Sequence, residues 1–498
     1  MSFSASDIAQ CVAHGLEPDA MARQLEVLRG PLPYAVLERP CTPGDGLEQI
    51  EKEAEAQYLQ AWRHSANAQR VSCFVPASGA ATRMFQSLVV AREQGVQTLS
   101  ELQARVQAGE AALAPASIAL TGLQELAVWD SLLAATPELL FSVQDGRVDE
   151  VLSVMLDGLK LSTRPKGLVP FHRTQRGVRT PVEEHLEETR LLCGEQGARV
   201  HFTVGCGVQG AFEAVVEEYC RRSGATVGVD YSSQRASTDT IALDAQGAPF
   251  RTGDGQLLLR PGGHGSLLQN LQDTAGDLVC IKNIDSVVPE RLREPVMRWR
   301  RCLVGMTAAL QAEVFGWLEA LESGEAGALD TAVGGLSERF GVHLKQPNTQ
   351  SVQQALRRPI RVCGMVANDG EPGGGPFWVR NARGVSRQIV EGAQLHRADG
   401  EQLKRWNAST HFNPVDMVCA LRDRHGVPFS LGEFVDEQAW LVTTKSYDGR
   451  SLTALENPGL WNGAMAHWNT VFVEVPRSTF NPVKTLADLL GPTHQTVR

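Results

Sequence analysis

Residues 71–84 read VSCFVPASGAATRM. Val71 to Val75 have the apolar content of a buried strand, Pro76 to Ala81 form a small-residue turn, and Thr82 and Arg83 open a helix. A second stretch, RPKGLVPFH at 164–172, places Lys166 between a proline and an apolar run. A turn that exposes backbone amides at a helix start, beside two cations, makes a place for phosphate. Gly79 and the flanking alanines leave room for a ligand against the main chain, and a guanidinium at Arg83 can grip phosphate through two hydrogen bonds. The stretch is neither a Walker loop nor the G-x-G-x-x-G of dinucleotide folds. A turn of this kind more often serves packing alone, so the order of other motifs along the chain has to carry the reading.

The surrounding sequence limits the alternatives. At 498 residues the chain has room for about three domain equivalents of roughly 150 residues, or for one elaborated α/β domain. Its formal charge is −10 and it has no lysine-arginine block, which argues against nucleic acid or an acidic membrane as partner. Ten cysteines without a C-x-x-C pair read as reduced, mostly buried thiols. No apolar run approaches the roughly 20 residues that span a bilayer, and the MSFSASDIAQ start has no leader character. The expectation is a soluble, cytoplasmic protein.

Helical spacing through Met21, Leu25 and Leu28, and through Ile50, Ala54, Tyr58 and Trp62, predicts a helical amino-terminal cap over 1–70. Residues 71–290 read as a nucleotide-binding α/β core, 291–358 as a helical insertion, and 359–498 as the rest of the core with a closing subdomain. Residues 83–160 are mostly helical, and Thr180, Pro181 and Glu183 fit a capping box with a first-turn proline. Strands at 199–204, 226–229 and 277–283 alternate with helices at 209–222 and 265–271, which predicts a mainly parallel sheet with helices on both faces. Further strands are expected at 360–366, 386–390, 439–444 and 470–475, short helices at 415–422 and 484–490, and an open loop in GEPGGGP at 370–376.

Three more sites bear on chemistry. Asp285 closes VCIKNID, at the strand end where open α/β sheets place ligands; it can hold Mg²⁺ or cap the helix near Pro289. RPGGHGS at 260–266 is a glycine turn that either approaches a base or phosphate or simply turns. The GLWNGAMAHWNTVFVEVPRSTFNPVK stretch gathers Trp461, Asn462, Trp468, Asn469 and Lys484, as a packed closing element or as an aromatic platform.

In this order the motifs resemble the sugar-1-phosphate nucleotidyltransferases, especially the UDP-N-acetylhexosamine pyrophosphorylase branch. The resemblance spans roughly 71–415. It implies a GT-A-type fold and a nucleotide site made of Ala77, Ser78, Gly79, Ala80 and Thr82, with Ser78 and Ala81 replacing family glycines. It makes Arg83 and Lys166 the catalytic cations, Gln234, Gly263 and His264 the base contacts, and Asp285 a Mg²⁺ ligand. IVEGAQ at 389–394 and HFNP at 411–414 match the family's sugar strand and its following segment. They imply Glu391 and Asn413 as sugar contacts; a second carboxamide or carboxylate should complete the metal site, with Asn413 or Asp416 as the candidates. VPASGAATRM, IKNID, STHFNPVD, GLWNGAMAHWNT and TFNPVK also resemble, over the whole chain, the family called domain of unknown function 4301, which implies a fold and no activity.

The expected reaction transfers a nucleoside monophosphate from a nucleoside triphosphate to a sugar-1-phosphate. Two rivals stay open: a binding protein for nucleotide sugars or sugar phosphates that has lost transfer, consistent with the altered glycines, and a glycosyltransferase on the same fold. The latter would want Asp-x-Asp where residues 283–286 read Asn-Ile-Asp-Ser.

Overall fold

The Val71–Pro76 strand forms where Val71, Cys73, Phe74 and Val75 are all buried. The computed structural model describes residues 3–274, 276–370 and 373–495, and its chain divides into two compact units. Unit 1 holds Met1–Ser72, Ser232–Ile281 and Arg301–Arg477; unit 2 holds Cys73–Tyr231, Lys282–Arg300 and Ser478–Arg498.

In unit 2 the opening strand pairs in parallel with Arg199–Thr203, Cys73 facing Val200 and Pro76 facing Thr203, and Gly228–Ser232 lies next in order. Helix Thr82–Glu93 follows the turn, and the helices between Leu99 and Ser153 stack on it. Their apolar faces, with Met84, Phe85 and Leu88, share one core with Val483, Leu486 and Leu489 from the end of the chain. Helix Pro181–Cys193 starts with the expected capping box, Thr180 and Glu183 exchanging bonds that satisfy first-turn amides.

In unit 1 the strands run in the order Thr42–Pro43, Gly46–Glu48, Asn469–Glu474, Ile360–Ala367, Asp416–Ala420, Leu278–Lys282. Ile360–Ala367 pairs in parallel with Asn469–Glu474 and antiparallel with Asp416–Ala420, so the protein is mixed α/β where a mainly parallel sheet was expected. Residues 415–422, read as a short helix, supply that antiparallel strand. All five of its residues are buried, and a short apolar run of this kind fits a strand and a helix equally by periodicity. Residues 1–70 carry three helices as well as the short strands between Val36 and Glu48. Gly375–Asn381 and Gly384–Val390 form a hairpin, as do Leu441–Tyr447 and Arg450–Glu456. Glu371 and Pro372 of the glycine-rich loop lie outside the described residues. All ten cysteines are unbridged, eight of them buried. Among the described residues no helix is long and apolar enough to cross a membrane.

The Glu290–Ser323 and Ala328–Phe340 helices contain glycines with opposite constraints. A Cβ at Gly305 would fall 1.8 Å from the Tyr58 carbonyl oxygen, whereas one at Gly334 would meet nothing within 4 Å. Gly305→Ala is expected to destabilise the protein by about 3 kcal/mol through forced backbone displacement. Gly334→Ala should stabilise it by about 0.5–1 kcal/mol through helix propensity. Urea midpoints of the two variants moving in the same direction would contradict this packing.

Candidate functional site

In unit 2 the two stretches that open the sequence reading are joined backbone to backbone. Lys166 N donates to Gly79 O at 3.0 Å, and Ala81 N donates to Arg164 O at 2.9 Å. Ala77 N donates to Thr203 O, which anchors the turn to the neighbouring strand. Ser78, Gly79, Ala80, Thr82 and Arg83 are exposed, and Ala77 and Ala81 are buried. Helix Thr82–Glu93 has no side-chain cap, so its first amides are left for another acceptor. Thr82 Oγ1 bonds back to Ser162 O at 3.1 Å.

Lys166 meets Asp285 directly. Its Nζ lies 2.7 Å from Asp285 Oδ2 and also donates to the Val483 carbonyl. Lys484 Nζ reaches the same Oδ2 at 3.1 Å. Burial pushes the Asp285 carboxyl up, but the two ammonium groups outweigh it and hold the group below the usual carboxylate range. Burial lowers the Lys166 pKa; Asp285 opposes this, and the charge of Arg83 adds to it. Arg83 is therefore close enough to act on Lys166, and among the described residues it has no hydrogen bond or ion pair of its own. Lys166, Lys484 and Asp285 thus meet beside the turn that opens this helix, with Arg83 near enough for its charge to act on Lys166.

Lys484 is the member that sequence reading left out of the site. Val483 N bonds Asp285 O at 3.2 Å, and Ser286 and Pro482 form an isolated bridge, so the TFNPVK stretch is laid along the Asp285 turn. The signal was a lysine in a motif already noted, without a way to place it 199 residues from Asp285.

Behind the turn, helix Pro181–Cys193 presents two fully buried carboxylates one helical turn apart. Glu184 accepts from His172 Nδ1 at 2.9 Å and from Arg293 at 2.6 Å. Glu188 accepts from Lys282 at 2.9 Å and from Arg300 at 2.8 Å. Burial pushes both carboxyls up, yet these cationic partners leave them below the ordinary range, Glu188 at about 2. His172 Nε2 lies 3.0 Å from His494 Nδ1. His185 Nε2 donates to Ile284 O at 3.3 Å. A Cβ at Gly167 would come within 3.2 Å of Val182 and Ile284, so this glycine is set by close packing.

The remaining expected residues lie in unit 1. His264 stacks on Trp461 with ring centroids 4.0 Å apart. Its Nδ1 accepts from Leu460 N at 2.9 Å, which puts the proton on Nε2, 3.4 Å from Glu391 Oε1. Trp461 Nε1 donates to the same oxygen at 3.0 Å. Burial raises the Glu391 pKa, and the two ring donors bring it below its usual value. The sequence thus brings His264, Glu391 and Trp461 together. Fully buried Arg361 holds the Trp461 carbonyl at 2.7 Å, a role no motif signalled.

The glycines of PGGHG serve the chain itself. Cβ atoms at Gly262, Gly263 and Gly265 would strike Asn457, Glu456 and Pro458, and Gly263 has φ +75. Gln234 donates to Asp239 Oδ1 at 3.2 Å. Asn413 Oδ1 accepts from Val415 N at 3.0 Å, and Val415 is held at φ +60, rare for a β-branched residue. Asp416 is buried at the start of its strand, in unit 1, whereas Asp285 is in unit 2.

With this geometry in place the chain can be compared with known proteins. The family model described as a domain of unknown function, DUF4301, matches residues 4–495. The chain belongs to this family. No curated protein matches its sequence. Among solved structures it is similar to the uridine diphosphate N-acetylglucosamine pyrophosphorylase of Trypanosoma brucei, at 12% identity and TM-score 0.48, over 98% of this chain and 79% of that one. It is also similar to the UDP-glucose pyrophosphorylase of Leishmania major, at 12% identity and TM-score 0.45, over 98% and 79%.

Asp285 does not form a cation site by itself. Two ammonium groups already share its Oδ2, and among the described residues no three His, Cys, Asp or Glu side chains are grouped for a metal. Any divalent ion there would need ligands that the substrate brings.

The buried histidines predict a pH response. Burial lowers His494 to about 3 and His185 to about 4, against about 6.5 for an unfolded histidine. Below about pH 6.5 the unfolded chain takes up protons that the folded one refuses, so stability falls with pH from there down to the folded values. His494→Gln should reduce that slope by about 1.4 kcal/mol per pH unit between pH 6 and 4.5. Urea titrations across this range giving the same slope for both proteins would show that His494 is not buried neutral.

Proposed function

We propose that the protein is a nucleotidyltransferase on a GT-A-type fold, acting in the cytoplasm to transfer a nucleoside monophosphate from a nucleoside triphosphate to a sugar-1-phosphate. The observation that carries this reading is the junction of the 77–83 turn with Lys166, Asp285 and Lys484, where unpaired positive charge faces an uncapped helix start. In the reaction a sugar-phosphate oxygen bonds to the α-phosphorus as the bond from that phosphorus to the bridging oxygen breaks, and pyrophosphate leaves with the bond electrons. Such transfer needs little covalent help; positioning and positive charge supply most of it.

In this reading the turn amides and Arg83 hold the departing pyrophosphate, and Lys166 meets charge growing on the α-phosphate. Asp285 keeps Lys166 protonated and aimed, and Lys484 adds a mobile second ammonium. Mg²⁺ would arrive with the nucleotide as its phosphate complex, with Asp285 as the carboxylate of unit 2 that meets it. The sharing of Asp285 between two lysines also favours a second reading, a protein that binds nucleotide sugars or sugar phosphates without transfer.

Purified protein with Mg²⁺, each nucleoside triphosphate and a panel of sugar-1-phosphates should release pyrophosphate with at least one pair. Lys166→Ala and Arg83→Ala should each reduce that rate about 100-fold or more, and Lys484→Ala by less. No release with any pair, while nucleotides still raise the melting temperature, would replace transfer by binding. An active enzyme indifferent to Lys166→Ala would refute the site.

A further inference from the structure

A cavity of about 620 Å³ lies in unit 1, away from every residue assigned above. Ile360 and Ala420, paired across their two strands, reach its floor. Asp416 lies four residues from Ala420, about 13 Å along the strand, and Asn413 follows Phe412, whose partner Val366 is six residues from Ile360, about 20 Å away at about 3.3 Å per residue. The cavity therefore lies at the end of these strands opposite to Asn413 and Asp416. Its volume is within the roughly 300–1,000 Å³ of ordinary small-ligand sites.

Its walls are of two kinds. Phe315, Phe429 and Phe434 line it and are only half buried; Phe429 and Phe434 meet edge to face at 6.0 Å, which fixes their rings. Opposite in character is a group of guanidiniums. Glu322 accepts from Arg357 at 3.1 Å and from Arg424, so one carboxylate serves two of them. Arg358 also lines the cavity, and among the described residues it makes no hydrogen bond or ion pair. Burial and the like charge of Arg383 lower its pKa, and no carboxylate offsets them. A half-buried guanidinium without a counter-ion, in a cavity also lined by three aromatic rings, is a costly arrangement unless an anion completes it.

We propose that this cavity is a second ligand site, for a small molecule with a flat aromatic body and a single anionic group, held by the phenylalanines and Arg358. The aromatic body replaces water on the ring faces, and the anion takes the fork of Arg358. Glu322 limits the affinity by occupying the two neighbouring guanidiniums. The site is independent of the transfer reaction, and stands or falls separately from it.

The test uses the full-length protein and 8-anilino-1-naphthalenesulfonate, a flat aromatic anion, with neutral N-phenyl-1-naphthylamine as its uncharged counterpart. Wild type should bind the sulfonate saturably at one site, seen by fluorescence titration. Arg358→Ala should weaken that binding about 10-fold or more while leaving the neutral probe unaffected, and Phe429→Ala should weaken both. Glu322→Gln should tighten the sulfonate several-fold at unchanged one-site stoichiometry and leave the neutral probe unaffected, which separates the gain from dye uptake by a loosened fold. Arg83→Ala, which addresses the proposed transfer site, should change neither. Absence of saturable binding, equal affinity in wild type and Arg358→Ala, or a Glu322→Gln variant with unchanged or weaker affinity would each overturn the proposal.

Discussion

A carboxylate kept charged in a buried place governs unit 2. Asp285 and Lys166 have side chains only 12% and 14% exposed, so each depends on the other to remain ionised. Removing one partner would leave an unpaired buried charge, at a cost of about 3–5 kcal/mol. That cost forces three separate segments, 164–168, 282–286 and 482–485, to meet at one point. Lys484, by contrast, is 64% exposed, and its bond to the same oxygen contributes about 1 kcal/mol at most. The difference assigns the two lysines different work. Lys166 is fixed by desolvation; Lys484 can leave Asp285 for an incoming anion at little cost.

The same logic recurs one layer deeper. Glu184 and Glu188 lie one turn apart on a single helix, and their partners Lys282, Arg293 and Arg300 come from the segment that contains Asp285. Buried ion pairs of this kind add little net stability over an apolar core of the same shape. They do penalise every arrangement that separates the partners, so the 282–300 segment is confined to one placement. A flexible Asp285 turn would lose the alignment with Lys166 on which both the pair and any phosphate chemistry depend. The bond from His185 to the Ile284 carbonyl fixes that turn from behind.

Much of this was legible because it is local. The strand into ASGAATRM, the capping box at Thr180 and Glu183, and the helices of 83–160 each follow from residues within one or two turns of each other. The pairing of Gly79 with Lys166 could be suspected only from the order of motifs, since 87 residues separate them. What stayed hidden rests on long-range placement: Lys484 on Asp285, Arg361 under Trp461, and the antiparallel strand at Asp416–Ala420. The glycine turn at 262–265 was open to two readings, ligand approach or an ordinary turn, and Asn457 and Pro458 fill the space a side chain would need. Glycine records that something is close to the backbone without recording what.

That distinction bears on Ser78 and Ala81, which the resemblance sets at glycine positions of the proposed phosphate turn. Ala81 points its methyl into the apolar core beside Met84 and Phe85, so the added carbon is on the side away from any ligand. A Cβ on Gly79 would meet nothing within 4 Å, and Ser78 is exposed. The outer face of the turn is thus open with Ser78 and Ala81 in place, and the Ala81 methyl adds packing on the core side. Bulk at this turn is therefore a weak argument against a triphosphate. The stronger discriminator is charge: Arg83, Lys166 and Lys484 offer three cations against one carboxylate, an excess of two. A single phosphate monoester would satisfy that excess and a triphosphate would exceed it, so under the proposed transfer a nucleotide would have to bring further positive charge of its own.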